Sequence, residues 1–169
     1  TPYICNVVKN LGGYAEVVSD MELYVARKIG YEYKDIIYNG PCKGDMMEEL
    51  ILNGGISNID NMQEAERVVD IARRNPTTHI KVGLRINTDI GAGFISRFGF
   101  DVEGAEIDHV VEMIKNQPNL QLVGLHMHVS RARYIEAWQN RIDNILTVAD
   151  KYIDGVPEYI DLGSGMFAD

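Results

Sequence analysis

The stretch Tyr159-Ile160-Asp161-Leu162-Gly163-Ser164-Gly165-Met166 reads as a short apolar strand running straight into two glycines that bracket a serine. Glycine lets backbone N–H groups approach a ligand closely, and neighbouring N–H groups can form a concavity that holds an anion such as phosphate. Gly163 and Gly165 could equally just turn the chain at a strand end. The choice between these readings rests on what precedes them.

Upstream, strands and helices alternate. Ile4, Val7, Val8 and Leu11 fall at helical spacing over 2–11 and define an apolar face closed by Gly12-Gly13. A strand over 14–18 leads to a helix capped by Ser19 or Asp20, which buries Leu23, Ala26 and Ile29 and ends at Gly30. Strands follow at 35–38, 56–59, 79–87 and 120–129. Between them lie a helix with Met46, Met47, Leu50 and Ile51, a helix capped by Asp60 or Asn61, and a helix near 103–116. A last helix near 133–152 carries Ile135, Trp138, Ile142, Ile145 and Ala149. The stretch from Thr88 to about Asp101 is a long loop. Connections of this length exclude hairpins, so the sheet is expected to be parallel. Two architectures fit: an open doubly wound sheet, and part of an eight-stranded barrel, whose typical length of about 250 residues exceeds this chain. Both place chemistry at the carboxyl ends of the strands.

The 169 residues carry 46% hydrophobic and 24% charged side chains, the balance of a globular chain able to bury a core. A net charge of −9 argues against a nucleic-acid partner, which needs a basic face. No apolar run approaches the roughly eighteen residues of a membrane span, and no signal-peptide pattern is present. A cytoplasmic protein is expected. Thr1 at one end and Met166-Phe167-Ala168-Asp169 at the other suggest a chain cut from a longer one. Cys5 and Cys42 are isolated and read as reduced packing residues. The histidines at 79, 109, 126 and 128 form no zinc-binding pattern, so no metal is expected.

Several strand ends carry chemistry. Glu16 sits in an apolar strand and Arg85 in Val82-Gly83-Leu84-Arg85-Ile86-Asn87. Each charge needs a partner if buried, so the two could neutralise each other beneath a ligand, or stand at strand ends in water. His126 and His128 share one side of their strand, as does Gly124. They could serve a metal, an acid/base pair or an aromatic platform for a flat ligand, or be satisfied core histidines. A metal would want a third ligand, and neither Glu16 nor Asp161 is clearly placed for it. Ser130 and the Gly163-Ser164-Gly165 turn could supply donors to an anionic tail. Ser96-Arg97-Phe98-Gly99-Phe100 lies in the long loop. Glu48, Glu49, Glu64 and Glu66 read as a solvated outer face.

The order of these pieces resembles the pyridoxal-phosphate decarboxylases of the alanine-racemase-like barrel class, the diaminopimelate, ornithine and arginine decarboxylase group. The matching segments are 13–23, Tyr38-Asn39-Gly40-Pro41-Cys42-Lys43, Gly83-Leu84-Arg85-Ile86-Asn87, Arg97-Phe98-Gly99, Gly124-Leu125-His126-Met127-His128, and Asp161-Leu162-Gly163-Ser164-Gly165. They span nearly the whole chain in the family's order, and the diaminopimelate branch is closest through Glu16-Val17-Val18-Ser19 and His126-Met127-His128.

The resemblance implies a partial (β/α)8 barrel domain over 1–169, holding about strands two to seven and binding pyridoxal 5'-phosphate. It implies that His128 stacks on the pyridine ring, that Gly163, Ser164, Gly165 and Ser130 meet the phosphate, and that Arg85 and Glu16 lie near the ring. Ser164 replaces a family glycine, and the family's glycine between Val129 and Ser130 is missing, so Arg131 or Arg133 could assist. No catalytic residue is assigned here. The lysine that binds the cofactor covalently is expected before Thr1, and Lys43 and Lys81 stand in the wrong segments. A carboxy-terminal β-domain is expected beyond Asp169. The full-length protein is expected to be a homodimeric decarboxylase of a diamino or basic amino acid, with an amino-acid racemase or a non-catalytic cofactor-binding homologue on the same scaffold as alternatives.

Overall fold

In the computed structural model, residues 2–91, 93, 95–130 and 134–164 are described. The elements run α1 (Pro2–Asn10), β1 (Ala15–Val17), α2 (Asp20–Ile29), β2 (Ile36–Tyr38), α3 (Met46–Leu52), β3 (Ile56–Ile59), α4 (Met62–Arg74), β4 (Ile80–Asn87), β5 (Phe100–Asp101), α5 (Ala105–Lys115), β6 (Leu120–His126), α6 (Ile135–Tyr152) and β7 (Tyr159–Asp161). Local chemistry sets several boundaries. The Ser19 hydroxyl accepts from Glu22 N to cap α2, and Gly30 closes that helix at φ +99°. Asn61, rather than Asp60, caps α4 by accepting from Glu64 N. Within the stretch read as a continuous loop, Phe100–Asp101 forms a two-residue strand paired in parallel with Ile86 and Asn87.

All pairings are parallel, in the order β1-β2-β3-β4-β6-β7 with β5 beside β4. The six-stranded sheet is curled: Asn39, just past β2, donates to Asp161 of the far strand β7, and Tyr159 of β7 donates to Asn58 of β3. Register lines up two transverse rows on the concave face. Asn58, Gly83, Gly124 and Tyr159 are successive partners across β3, β4, β6 and β7. Two residues further along each strand, hence on the same face, come Asp60, Arg85, His126 and Asp161. The two glycines have a spatial reason. The Tyr159 ring lies across Gly124 and its hydroxyl reaches over Gly83 to the Asn58 carbonyl, so a Cβ on either glycine would overlap it.

The main core lies between the convex face and the helices, with Leu23, Leu50, Ile51, Val68, Ile71, Val110, Ile114 and Ile145 buried. A smaller group, Ile37, Ile56 and Val123 with Tyr159, lines the interior. Two apolar helix faces read from the sequence are incompletely covered. Among its described residues α1 buries none, and Ile4, Val7, Val8 and Leu11 remain exposed. Ile4 and Val8 instead face α2 across an apolar groove of ≈400 Å³. On α6, Trp138, Ile145 and Ala149 are buried but Ile135 and Ile142 are exposed, and Arg141 takes an inner position. Both cysteines are free, and Cys42 is exposed rather than a packing residue. Among the described residues no helix is long and apolar enough to cross a membrane.

Candidate active site

The second transverse row stands at the carboxyl ends of the strands and gathers most of the charged groups inside the curl. Ile59 pairs with Leu84, so the next residue, Asp60, falls beside Arg85. Arg85 Nη1 donates to Asp60 Oδ2 at 3.1 Å, with both side chains almost wholly buried. Asp60 Oδ1 also accepts from Gly99 N at 3.1 Å, which ties the end of the long loop to the same carboxylate. Arg85 therefore neither pairs directly with Glu16 nor stands in water, the two readings its sequence left open. Asp60 ends the strand next to β4, whereas Glu16 lies on β1, three strands away. A buried guanidinium is satisfied by the nearest carboxylate. The Arg85 guanidinium also lies 4.9 Å from the centre of the Phe98 ring, and that of Arg97 lies 4.8 Å from it.

Glu16 finds a neutral partner. Asn39 Nδ2 donates to Glu16 Oε1 at 2.8 Å and to Asp161 Oδ2 at 3.1 Å. Glu16 remains accessible to solvent. Even so, the protein crowding its carboxyl raises its pKa; the Asn39 hydrogen bond opposes this, the Asp161 charge adds to it, and Arg85 opposes it. His126 is buried, with Nε2 3.8 Å from Asp161 Oδ2. Burial pulls its pKa down to about 4, Asp161 opposing and Arg85 assisting, so the imidazole is neutral near pH 7. Glu16, His126 and Asp161 thus bring ligand-type atoms within 4.8 Å of one another. Residue spacing along the chain did not disclose this grouping, because it depends on the curl.

His128 is half-buried beyond the end of β6. Its Nδ1 accepts from Ser164 N at 3.2 Å, which assigns the neutral ring's proton to Nε2. Burial and the Arg85 charge lower its pKa. Gly163 adopts φ +69° and lies against this ring, where a Cβ would overlap it. Gly163 N donates to Asp161 Oδ1 at 2.8 Å. Of the three turn residues expected to present donors to an anion, Gly163 and Ser164 therefore both have their N–H groups engaged by side chains. Gly165, Arg131 and Arg133 lie outside the described residues.

Two cavities meet at this wall. One, of ≈410 Å³, is lined by Glu16, Asn39, Gly40, Arg85, His126, His128, Gly163 and Ser164 among others. The other, of ≈560 Å³, is lined by Arg85, Ile95, Ser96, Arg97, Phe98, His128, Val129 and Ser130. Arg85 and His128 belong to both. The first cavity includes a carboxylate; the lining of the second includes two guanidiniums and two hydroxyls but none. Ser130 is exposed and stands in the second cavity, apart from Gly163 and Ser164.

A family model described as pyridoxal-dependent decarboxylase, pyridoxal binding domain, matches residues 1–168. The chain belongs to this decarboxylase family. A diaminopimelate decarboxylase of Aquifex aeolicus is 26% identical over 182 residues, covering 98% of this chain and 42% of the relative. The crystal structure of a diaminopimelate decarboxylase from M. jannaschii superposes with a TM-score of 0.77 at 27% identity, over 98% of this chain and 41% of that one. The Paramecium bursaria Chlorella virus arginine decarboxylase shares the fold at a TM-score of 0.78 and 22% identity, over 99% of this chain and 46% of that one. The chain spans about two-fifths of the length of the curated relatives it matches. The curled parallel sheet is thus a partial barrel, and the open doubly wound alternative falls away.

Behind the site, this decarboxylase domain holds supports that the sequence did not reveal. Lys43 Nζ is 2.6 Å from Glu64 Oε2, with its side chain fully buried, and it donates to Gly40 O at 2.8 Å. Glu64 also accepts from Asp60 N at 3.0 Å and from Lys43 N at 3.3 Å. Glu64 is therefore no member of a solvated face; it stands at the inward edge of the first turn of α4. From α6, Arg141 donates to Leu162 O at 2.9 Å and to Val129 O at 3.0 Å, stacked 4.1 Å from the Trp138 ring. It links the two chain segments that carry His128 and Gly163. Local sequence marks Asn39 only as a residue of the Tyr38–Lys43 segment and Asp60 only as a helix cap, so neither is visible as a site residue without the fold.

Proposed function

We propose that residues 1–169 form the part of a decarboxylase barrel that seats pyridoxal 5'-phosphate, in an enzyme that removes carbon dioxide from a diamino or basic amino acid of the diaminopimelate type. The observation that carries this reading is the wall formed by His128 and Arg85, shared by two cavities, one lined by Glu16 as well as Arg85 and the other by Arg85 and Arg97 with no carboxylate. The residues present fit the group. A neutral imidazole can lie flat on a pyridine ring, and the glycine at 163 is what allows that imidazole its position. The acid-free cavity with Arg97, Ser96 and Ser130 suits a phosphate, whereas Ser164 lines the neighbouring cavity with its N–H held by His128 Nδ1. Arg85, fixed by Asp60, contributes a permanent positive charge beside the ring, and Glu16 a carboxylate. When bound, the cofactor supplies an electron sink for the bond to carbon dioxide. The chain's own residues bind it, orient it and set the charge around it.

Equilibrium dialysis of the chain with pyridoxal 5'-phosphate tests the seat. Binding that weakens about tenfold in His128→Ala supports it, and unchanged affinity removes His128 from the site. Carbon dioxide release from diaminopimelate, ornithine, arginine and lysine, measured on the protein that contains this chain, tests the reaction. Inversion of the α-carbon without carbon dioxide release would replace the decarboxylase reading with a racemase.

A further inference from the structure

The interior of the curl contains a continuous run of side-chain hydrogen bonds. Tyr159 Oη donates to Asn58 Oδ1, Asn58 Nδ2 donates to Asn39 Oδ1 at 2.5 Å, and Asn39 Nδ2 donates to both Glu16 and Asp161. The run starts on β7, crosses β3 and the end of β2, and closes on β1 and again on β7. Its polarity is unambiguous. Two carboxylates can only accept, so both N–H bonds of the Asn39 amide point at them and its carbonyl must face Asn58. Asn39 is 2% exposed and Asn58 1%, so neither has water as an alternative partner.

We propose that Asn39 is a positioning residue for Glu16, holding its carboxylate toward the cavity and in the ionised form despite the neighbouring Asp161. The inference rests on the reading of Glu16 as a cofactor-side residue. The charged groups bearing on Glu16 are Asp161 from β7, Glu22 from α2 and Arg85 from β4. Arg85 is committed to Asp60, and His126 is neutral, so neither strongly offsets the two nearby acids. The Asn39 amide donates to Glu16 at 2.8 Å and is shared with Asp161, which also accepts from Gly163 N, so it bridges the two carboxylates that would otherwise repel. Without it, the Glu16 carboxyl should hold its proton more tightly, because the Asp161 charge lies so near. Tyr159 and Asn58 set the amide's rotation from behind.

The test is a carboxyl-carbon NMR titration of Glu16 and Asp161 in the chain without cofactor. Asn39→Leu should raise the Glu16 midpoint by about one pH unit, a tenfold rise in proton affinity. Tyr159→Phe, which keeps the ring packing, should move it the same way by less. A purely structural Asn39 would lower the melting temperature and leave both midpoints where they were, which overturns the proposal. Because the titration needs no cofactor, a wild-type chain that fails to bind pyridoxal 5'-phosphate would sink the functional reading alone. A chain that binds it normally while the midpoints stay fixed in both variants would sink this inference alone.

Discussion

Gly163 and the His128 ring occupy adjoining space with no room for a methyl group between them. The glycine also stands at φ +69°, a left-handed conformation that costs other residues about 1–2 kcal/mol. Gly163→Ala is therefore expected to destabilise the chain by about that amount and to turn His128 out of the cavity. Pyridoxal 5'-phosphate affinity measured by dialysis should fall at least as far as in His128→Ala. An alanine variant with native affinity would show that the ring position is irrelevant to binding.

The Lys43–Glu64 pair is closed to water on the lysine side. Glu64→Gln would leave the ammonium buried without its counter-charge, at a cost of about 3–5 kcal/mol in urea unfolding. The double change Lys43→Met with Glu64→Leu should recover most of that loss, since replacing both charges removes the desolvation burden. Equal losses in the single and double variants would mean that Glu64 acts mainly through its bonds to the Asp60 and Lys43 backbone.

His126 should make the fold acid-sensitive. The unfolded chain takes up this proton near pH 6.5 and the folded chain only near 4, so stability falls as pH drops through that window. The full effect is roughly 3 kcal/mol, and His128 acts in the same direction. Glu16 works the other way: its raised pKa means the folded state accepts a proton before the unfolded one, a contribution present at low pH and lost as pH rises through the folded value. Urea midpoints measured between pH 4 and 7 should slope less steeply in His126→Gln. An identical slope would exclude the buried imidazole as its source.

Arg141 spans two carbonyls with one planar fork. Lysine at this position could not reach both in the same geometry. Arg141→Lys should cost about 1–3 kcal/mol and loosen the His128–Ser164 contact, seen as a larger loss of cofactor affinity than an exposed control such as Arg73→Lys gives. Parallel behaviour of the two variants would confine Arg141 to general packing.

The alternation of strands and helices, the parallel pairing and the placement of charged residues at carboxyl ends were legible because alternation and period-two patterning are local. Glu16 and Arg85 were recognised individually, but their partners were not. Asp60 looked like a helix cap and Asn39 simply followed a strand within the Tyr38–Lys43 segment, a place where short polar side chains normally serve turns. Only the register, which sets Ile59 against Leu84, brings Asp60 to Arg85. Glu64 was hidden by its neighbours: helical spacing identifies an apolar stripe, and an acid at the stripe's edge looks solvated until its lysine is placed. The exposed face of α1 shows the converse, because an amphipathic pattern identifies which side is apolar and not what covers it.

The Tyr159 ring fills space above two strands at once. Positions 58, 83, 124 and 159 therefore behave as a single volume divided among four residues. Enlarging Gly124 is tolerable only if the aromatic shrinks, and enlarging Gly83 only if Asn58 gives way as well. Selection from a library varied at all four sites should return correlated combinations rather than independent preferences.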